Sequence, residues 1–303
     1  MTEMIGLNSK MRFGKKVLMC LSPPKINWED PSKNPHMKMI CQPDAGRSLA
    51  QLGKLLHYYD FFGVETHYLD PRRDLGDQVF TANIAYGVEG TFVMANMLVE
   101  HRKPEAPIAA RWLVDRRYNV CFLPAQDEIG SPIYYEGQAN WISTPREHFY
   151  CYGIRNTLNA VAAVKNILNL KKPIKPLRLA SSEFYDGDLA LRYFPHIDSV
   201  MYFPGAFEGF SLDALRSSFR EDQRLEVPYE FAIQNLGNFG KNFALNGVYF
   251  GDVVTFPWSE ETEEFPREIR GFVERNGCEI LLIDFSEFGK SGGGHKCVSL
   301  FLN

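Results

Sequence analysis

The sequence predicts a single compact α+β domain. Short apolar runs that read as strands alternate with a few helical segments, in an order that is neither a clean strand–helix alternation nor an all-strand pattern. Turn residues are spread evenly over the 303 residues, with no linker and no low-complexity stretch. An apolar share of 45% with 14% aromatic residues is enough for a substantial core. Residues 1–303 are therefore read as one domain, with residues 1–14 as a flexible N-terminal lead.

Lys15 to Leu21 reads as a buried strand, and Pro23, Pro24, Pro31 and Pro35 keep the stretch after it in loops. Leu49, Leu52, Leu55 and Leu56 recur at helical spacing, which predicts a helix over 48–62 ended by Gly63. Val64 to Leu69 is a strand running into Asp70-Pro71, and further strands are expected at 91–98 and 118–123. Val161, Val164 and Leu168 share one face of a helix over 157–168. Ser199 to Phe203 is a strand, and Ser211 is the expected N-cap of a helix through Arg220. A strand pair over 247–256 turns at Gly251-Asp252, a helix follows from Pro266 to Glu274, and Cys278 to Phe285 closes the series as a strand. No strict internal repeat stands out, although repeated strand–helix units fit the spacing.

Net charge is −4, with no long basic run, which argues against nucleic-acid and membrane-surface partners. The six cysteines form no C-x-x-C pair, a pattern that fits reduced thiols rather than a disulfide framework or a structural zinc site. The first residues lack the basic and apolar regions of a signal peptide, and no apolar run is long enough to span a bilayer. A cytoplasmic protein is expected.

Four polar segments stand out in apolar surroundings. The most informative is Lys290-Ser-Gly-Gly-Gly-His-Lys-Cys297, where three glycines free the backbone ahead of one thiol. The others are Asp77-Gln-Val-Phe-Thr-Ala-Asn83, Tyr134-Tyr-Glu136-Gly, and Phe184-Tyr-Asp186-Gly-Asp188. In the last, two carboxylates two residues apart would share one face of a strand. Each alone reads equally as a turn, a cap, a surface acid or a buried cysteine. Together they describe a pocket with a thiol, several acids and an amide, which suits a planar cation such as a guanidinium.

In this order the segments resemble the guanidine-modifying superfamily of arginine deiminases, dimethylarginine hydrolases, amidinotransferases and arginine dihydrolases, and among these most the dihydrolases. Asn34-Pro-His-Met37, Glu100-His-Arg102-Lys-Pro-Glu105, Tyr152-Gly-Ile-Arg155 and Glu287-Phe-Gly-Lys290 extend the likeness over nearly the whole chain. The resemblance implies a five-bladed α/β propeller (pentein) of ββαβ units around a central pocket. It also implies roles. Cys297 becomes the nucleophile and Glu136 the acid paired with the family's catalytic histidine. Asp188 and Asp77 hold the guanidinium nitrogens, and Arg102 and Arg155 bind the substrate α-carboxylate. Asn34 and Asn83 match the dihydrolases' pocket asparagines, and Ser291 in the glycine-rich loop joins the substrate-binding set. The implied activity is thiol-dependent hydrolysis of L-arginine, without metal or cofactor. The partner is a small-molecule substrate, and a homo-oligomer is compatible with it.

One position departs from the family's pattern. Where His-x-Asp is expected, the chain has Asp186-Gly187-Asp188. A carboxylate there lacks the titration near neutrality that suits a proton donor. His196, in a second His-x-Asp at Asp198, and His295, two residues before the thiol, are the stand-ins to weigh; the first reads as a turn residue and the second as a loop residue. The expectation is an impaired or trapped enzyme. The alternatives are a natural member with altered chemistry and a guanidine-binding regulator.

Overall fold

Parallel neighbouring strands cannot be joined by a tight turn and need a crossover, usually a helix. The computed structural model, which describes residues 15–26, 34–37, 41–259 and 264–302, uses that device five times. Five three-stranded sheets share one connectivity, an antiparallel pair followed through a helix by a third strand parallel to the middle one. In the first, Lys16–Cys20 lies between the C-terminal strand Leu300–Leu302 and Glu65–Leu69, with helix Ala45–Phe61 as crossover. The second joins Ala85–Val88, Thr91–Met94 and Asn119–Phe122 through helix Glu105–Asp115. The third joins Trp141–Ser143, His148–Tyr152 and Ile174–Arg178 through Ala160–Ile167. The fourth joins Leu191–Phe194, Ser199–Tyr202 and Arg224–Glu226 through Gly209–Ser218. The fifth joins Tyr249–Phe250, Val253–Phe256 and Glu279–Leu282 through Arg267–Arg275. The N-terminal lead expected at residues 1–14 lies outside the described residues.

The first helix buries Leu52, Leu55 and Tyr59 at helical spacing. It starts earlier than its leucines imply because the Asp44 carboxylate accepts the Arg47 N–H at 2.7 Å and caps it. Helix Glu105–Asp115 escapes the sequence reading altogether. Its buried stripe is Ala106, Ala109, Ala110 and Leu113, and alanines carry little of the periodic signal that larger residues give. The strand expected over 91–98 ends at Met94, after which Asn96 bridges to Tyr135. Ser211 is not the N-cap. The helix begins at Gly209, after Glu208, and Ser211 Oγ instead accepts the Arg178 N–H at 2.7 Å.

Neighbouring units share core. Leu18 and Leu69 of the first sheet pack in one cluster with Phe92 and Met94 of the second, and Tyr86 and Val93 of the second join Trp141 and Tyr150 of the third. A larger cluster runs from Val17 and Met19 through the third and fourth sheets to Val253, Val254 and Phe256 of the fifth. The units are therefore packed side by side, and their entry turns come together.

Candidate active site

Each unit is entered through a tight turn that ends just before its first strand. Phe80-Thr-Ala-Asn83, Gly137-Gln-Ala-Asn140, Gly187-Asp-Leu-Ala190 and Phe243-Ala-Leu-Asn246 lead into the second to fifth units, and Lys296-Cys297-Val-Ser299 leads into Leu300–Leu302. This equivalence is the internal repeat that the strand pattern alone conceals. It places Cys297 and Asp188 at matching positions, and Asn83, Asn140 and Asn246 at matching positions two residues further along the turn.

Cys297 is buried, and its Sγ lies 3.6 and 3.5 Å from the two Asp188 oxygens. The Asn246 amide grips both sides of the loop. Its Oδ1 accepts the Gly294 and Cys297 N–H groups at 3.0 and 3.1 Å, while its Nδ2 donates to Cys297 Sγ at 3.1 Å. The glycines are required by close approach. Gly292 has φ +84°, and a side chain on Gly293 would meet the Phe80 ring at 2.4 Å. Burial, and then the Asp188 and Asp186 carboxylates, push the thiol well above its ordinary value. At rest it is a protonated thiol, and a cation beside it would favour the thiolate.

Asn83 joins two acids. Its Nδ2 donates to Asp186 Oδ2 at 2.8 Å and to Glu136 Oε2 at 3.1 Å. Asp186 Oδ1 accepts from Asn140 Nδ2 at 2.8 Å, and Asn140 Oδ1 accepts the Gly187 N–H, so one amide holds this turn as Asn246 holds the thiol's. Glu136 is fully buried. Its Oε2 accepts from Arg155 Nη1 at 3.4 Å and lies 3.9 Å from Arg102 Nη1, whereas Oε1 has no hydrogen-bond partner among the described residues. Burial pushes Glu136 up to about 7, with Asp186 adding to the rise and Arg155 and Arg102 opposing it. Burial, then Asp186, also raises Asp188 above the usual carboxylate range, and Lys296 works against that.

A small enclosed cavity is lined by eight of the ten expected site residues: Asn34, Asp77, Asn83, Arg102, Arg155, Asp186, Ser291 and Cys297. Glu136 stands behind Asn83, and Asp188 beside the thiol. Arg102 forms a two-pronged pair with Glu105, Nε to Oε1 at 3.0 Å and Nη2 to Oε2 at 2.8 Å. Arg155 lies over the Tyr185 ring at 3.9 Å. Asp77 Oδ2 meets His101 Nε2 at 2.9 Å, and its Oδ1 is buried with no partner among the described residues. Asn34 Nδ2 donates to the Ser291 carbonyl at 2.9 Å, fixing the loop that carries the glycines. With Arg102 paired to Glu105, four acids (Asp77, Glu136, Asp186, Asp188) remain around the cavity against Arg155. Such a surplus favours a cationic group.

Two sequence expectations are corrected. Asp186 and Asp188 do not share a strand face, because Gly187–Ala190 is a single helical turn with Asp186 at its N-cap. Asp186 consequently turns toward Asn83 and Asn140, and Asp188 toward the thiol. His295 is not a solvent-facing loop residue but is buried. Its Nδ1 meets Thr255 Oγ1 at 2.8 Å and its Nε2 the Ile283 carbonyl at 3.1 Å, so it is a fully satisfied core histidine. Its burial lowers it to about 3. His196 is in the exposed turn between Phe194 and Ser199, as the sequence reading has it. No histidine lines the cavity. Sequence reasoning missed Asn140, Asn246 and Tyr185. Phe-Ala-Leu-Asn246 repeats the Phe-x-x-Asn of Phe80 to Asn83 at the same point of its unit, a signal that could have found it.

No family model matches the chain. Over 97% of its length it is 25% identical to the bifunctional arginine dihydrolase/ornithine cyclodeaminase AgrE of Nostoc sp., of which it spans 38%. It is 26% identical over 88% of its length to the N(G),N(G)-dimethylarginine dimethylaminohydrolase of Mycobacterium tuberculosis, of which it spans 80%. The substrate-bound N-terminal domain of ArgZ, an arginine dihydrolase of cyanobacteria, has the same fold: TM-score 0.80 at 23% identity, covering 95% of this chain and 97% of that one. An adduct of dimethylarginine dimethylaminohydrolase with S-methyl-L-thiocitrulline gives a TM-score of 0.70 at 18% identity, covering 95% and 99%. In sequence the chain is similar to an arginine dihydrolase and a dimethylarginine dimethylaminohydrolase, and it shares the fold of solved structures of both kinds.

Proposed function

We propose that the protein is a thiol-dependent hydrolase of L-arginine's guanidinium group, of the arginine dihydrolase type, slowed by the acid at position 186. The observation that carries this reading is the buried Cys297 thiol 3.5 Å from the Asp188 carboxylate, at a cavity lined by Asp77 and Asp186 as well as Arg102 and Arg155. Asp188 and Asp77 bind the guanidinium nitrogens, and Arg102 and Arg155 take the α-carboxylate. The five units close into a five-bladed propeller around this site, and the chain is one domain acting in the cytoplasm.

The guanidinium balances the nearby acids and favours the thiolate, the thiol proton passes to a neighbouring carboxylate, and Cys297 Sγ forms a bond to the guanidinium carbon. A proton passes to one terminal nitrogen, the carbon–nitrogen bond breaks, ammonia leaves and an S-linked thiouronium remains. Water then adds to that carbon, the carbon–sulfur bond breaks, and citrulline and the thiol are formed. A second round on the ureido group, with Asn83 orienting the water, yields ornithine, a second ammonia and carbon dioxide. Asp186 can accept protons in these steps but replaces the group suited to donating them. Losing such a group costs roughly 10²- to 10⁴-fold.

Product analysis after incubation with arginine tests this. Ornithine with two equivalents of ammonia supports a dihydrolase, citrulline alone a single-step deiminase, and transfer to an added amine an amidinotransferase. Citrulline and methylamines from a methylated arginine would mark a dimethylarginine hydrolase. The absent pocket histidine favours one second reading, a guanidine-binding regulator. It requires reversible arginine binding that survives Cys297→Ser, with no turnover in Asp186→His.

A further inference from the structure

Asp188 separates the thiol from a second cavity. This one measures about 770 Å³, within the range of small-molecule sites. Five cations line it, Lys15, Lys171, Lys172, Arg192 and Lys296, against the two acids Asp188 and Glu89. The chain as a whole carries −4, so the positive surplus is local. Four of these cations donate to neutral oxygens rather than to carboxylates: Lys171 to Asn169 Oδ1, Lys172 to the Thr144 carbonyl, Arg192 to the Val248 carbonyl and Lys296 to Gln138 Oε1. Arg192 is 5% exposed, lies between the Phe194 and Phe256 rings at 4.8 and 4.6 Å, and keeps Nη1 without a partner among the described residues. Its burial lowers it to about 9. The field in the cavity is therefore poorly compensated. The walls are otherwise apolar. Trp141 stacks on Tyr86 at 5.2 Å, and Ile142, Leu245 and Phe301 complete them.

We propose that this cavity is a second ligand site, for an organic anion whose carboxylate sits at Lys296 and whose apolar body lies against Trp141 and Phe301. Lys296 Nζ lies 2.9 Å from Gln138 Oε1, and an ammonium has two further protons to donate. A ligand carboxylate would offset the positive surplus that Asp188 and Glu89 leave uncompensated. The charge preference is the reverse of that at Cys297, so the site does not depend on the hydrolase reading.

Calorimetric titration of the full chain with phenylacetate, benzylamine and acetate tests the idea without measuring turnover. Phenylacetate is expected to bind one per chain. Benzylamine, with a similar body and the opposite charge, is expected not to compete with it, and acetate, without the body, to bind at least about tenfold more weakly. Lys296→Gln should weaken phenylacetate by about tenfold, and Ile142→Trp, which fills the space, should abolish binding. Should either variant fail to fold, the other carries the test. Benzylamine displacing phenylacetate, phenylacetate binding unchanged in the folded variants, or no phenylacetate binding at millimolar concentration would each overturn the proposal.

Discussion

Glu136 makes a measurable claim about stability. Its carboxyl is fully buried and raised from 4.5 to about 7, first by burial and then by Asp186. The folded state thus binds this proton more tightly than the unfolded chain. The extra stability is fully present below pH 4.5, falls as pH rises through 4.5 to about 7, and is gone above that. Each pH unit between the two values is worth about 1.4 kcal/mol, so the whole effect is about 3 kcal/mol. Glu136→Gln is the perturbation of choice. Its amide oxygen can keep the Asn83 and Arg155 hydrogen bonds, and its NH₂ falls where Oε1 has no partner. Urea unfolding of both proteins from pH 4 to pH 8 isolates the effect as a difference, because all other groups titrate in both. Wild type minus variant should fall by about 3 kcal/mol over that range. Parallel stability curves would refute the assignment of the resting proton to Glu136.

Three further outcomes follow from the same geometry. Incubation with arginine should leave a mass increment on Cys297 corresponding to the thiouronium, detected by intact-mass and peptide spectrometry, and Cys297→Ser should abolish both adduct and ammonia release. Asp186→His should raise ammonia release by roughly 10²- to 10⁴-fold, and no gain would remove the account of slow turnover. Gly293→Ala puts a methyl 2.4 Å from the Phe80 ring, and should cost about 1–3 kcal/mol of unfolding free energy, read by denaturant titration.

The site was more legible in the sequence than the elements that carry it. Glycines before Cys297, the acids at 77, 136 and 188, and the amide at 83 are side-chain types with chemical meaning, and they stand in segments that turn residues mark. Their convergence is expected from the residue types taken together and from the resemblance, and local spacing does not show it, because it depends on five units packed side by side. Helix Glu105–Asp115 was hidden by its alanines, and the helical turn at Gly187–Ala190 by a two-residue carboxylate spacing that equally fits a strand. Asn140 and Asn246 were missed for a related reason. An asparagine near a turn is ordinary until its partner is known, and the partners lie 47 and 51 residues away at Gly187 and Cys297.

The environment of Asp186 bears on how an acid there could serve a reaction that needs a proton donor. Both of its oxygens already accept hydrogen bonds from amides, Oδ1 from Asn140 and Oδ2 from Asn83, with Arg155 Nη1 at 3.9 Å. Those amide NH₂ groups can only donate, so neither could take up a proton that Asp186 released. Glu136 differs: one oxygen faces the same Asn83 amide and the other faces no partner among the described residues. Asn83 is thus the bridge between an acceptor and a carboxyl that holds its proton near neutrality. On the proposed reading, Glu136 is the proton reservoir of the site, and Asp186, besides accepting protons, anchors Asn83 and the turn bearing Asp188. The assignment separates two variants that a simple loss of acidity would treat alike. Glu136→Gln should remove the adduct-forming step as well as the pH-dependent stability. Asp186→Asn should keep most of the pH-dependent stability, because burial is the largest cause of the Glu136 shift and Asp186 a smaller one. Loss of that dependence in Asp186→Asn would move the proton to Asp186 and reverse the two roles.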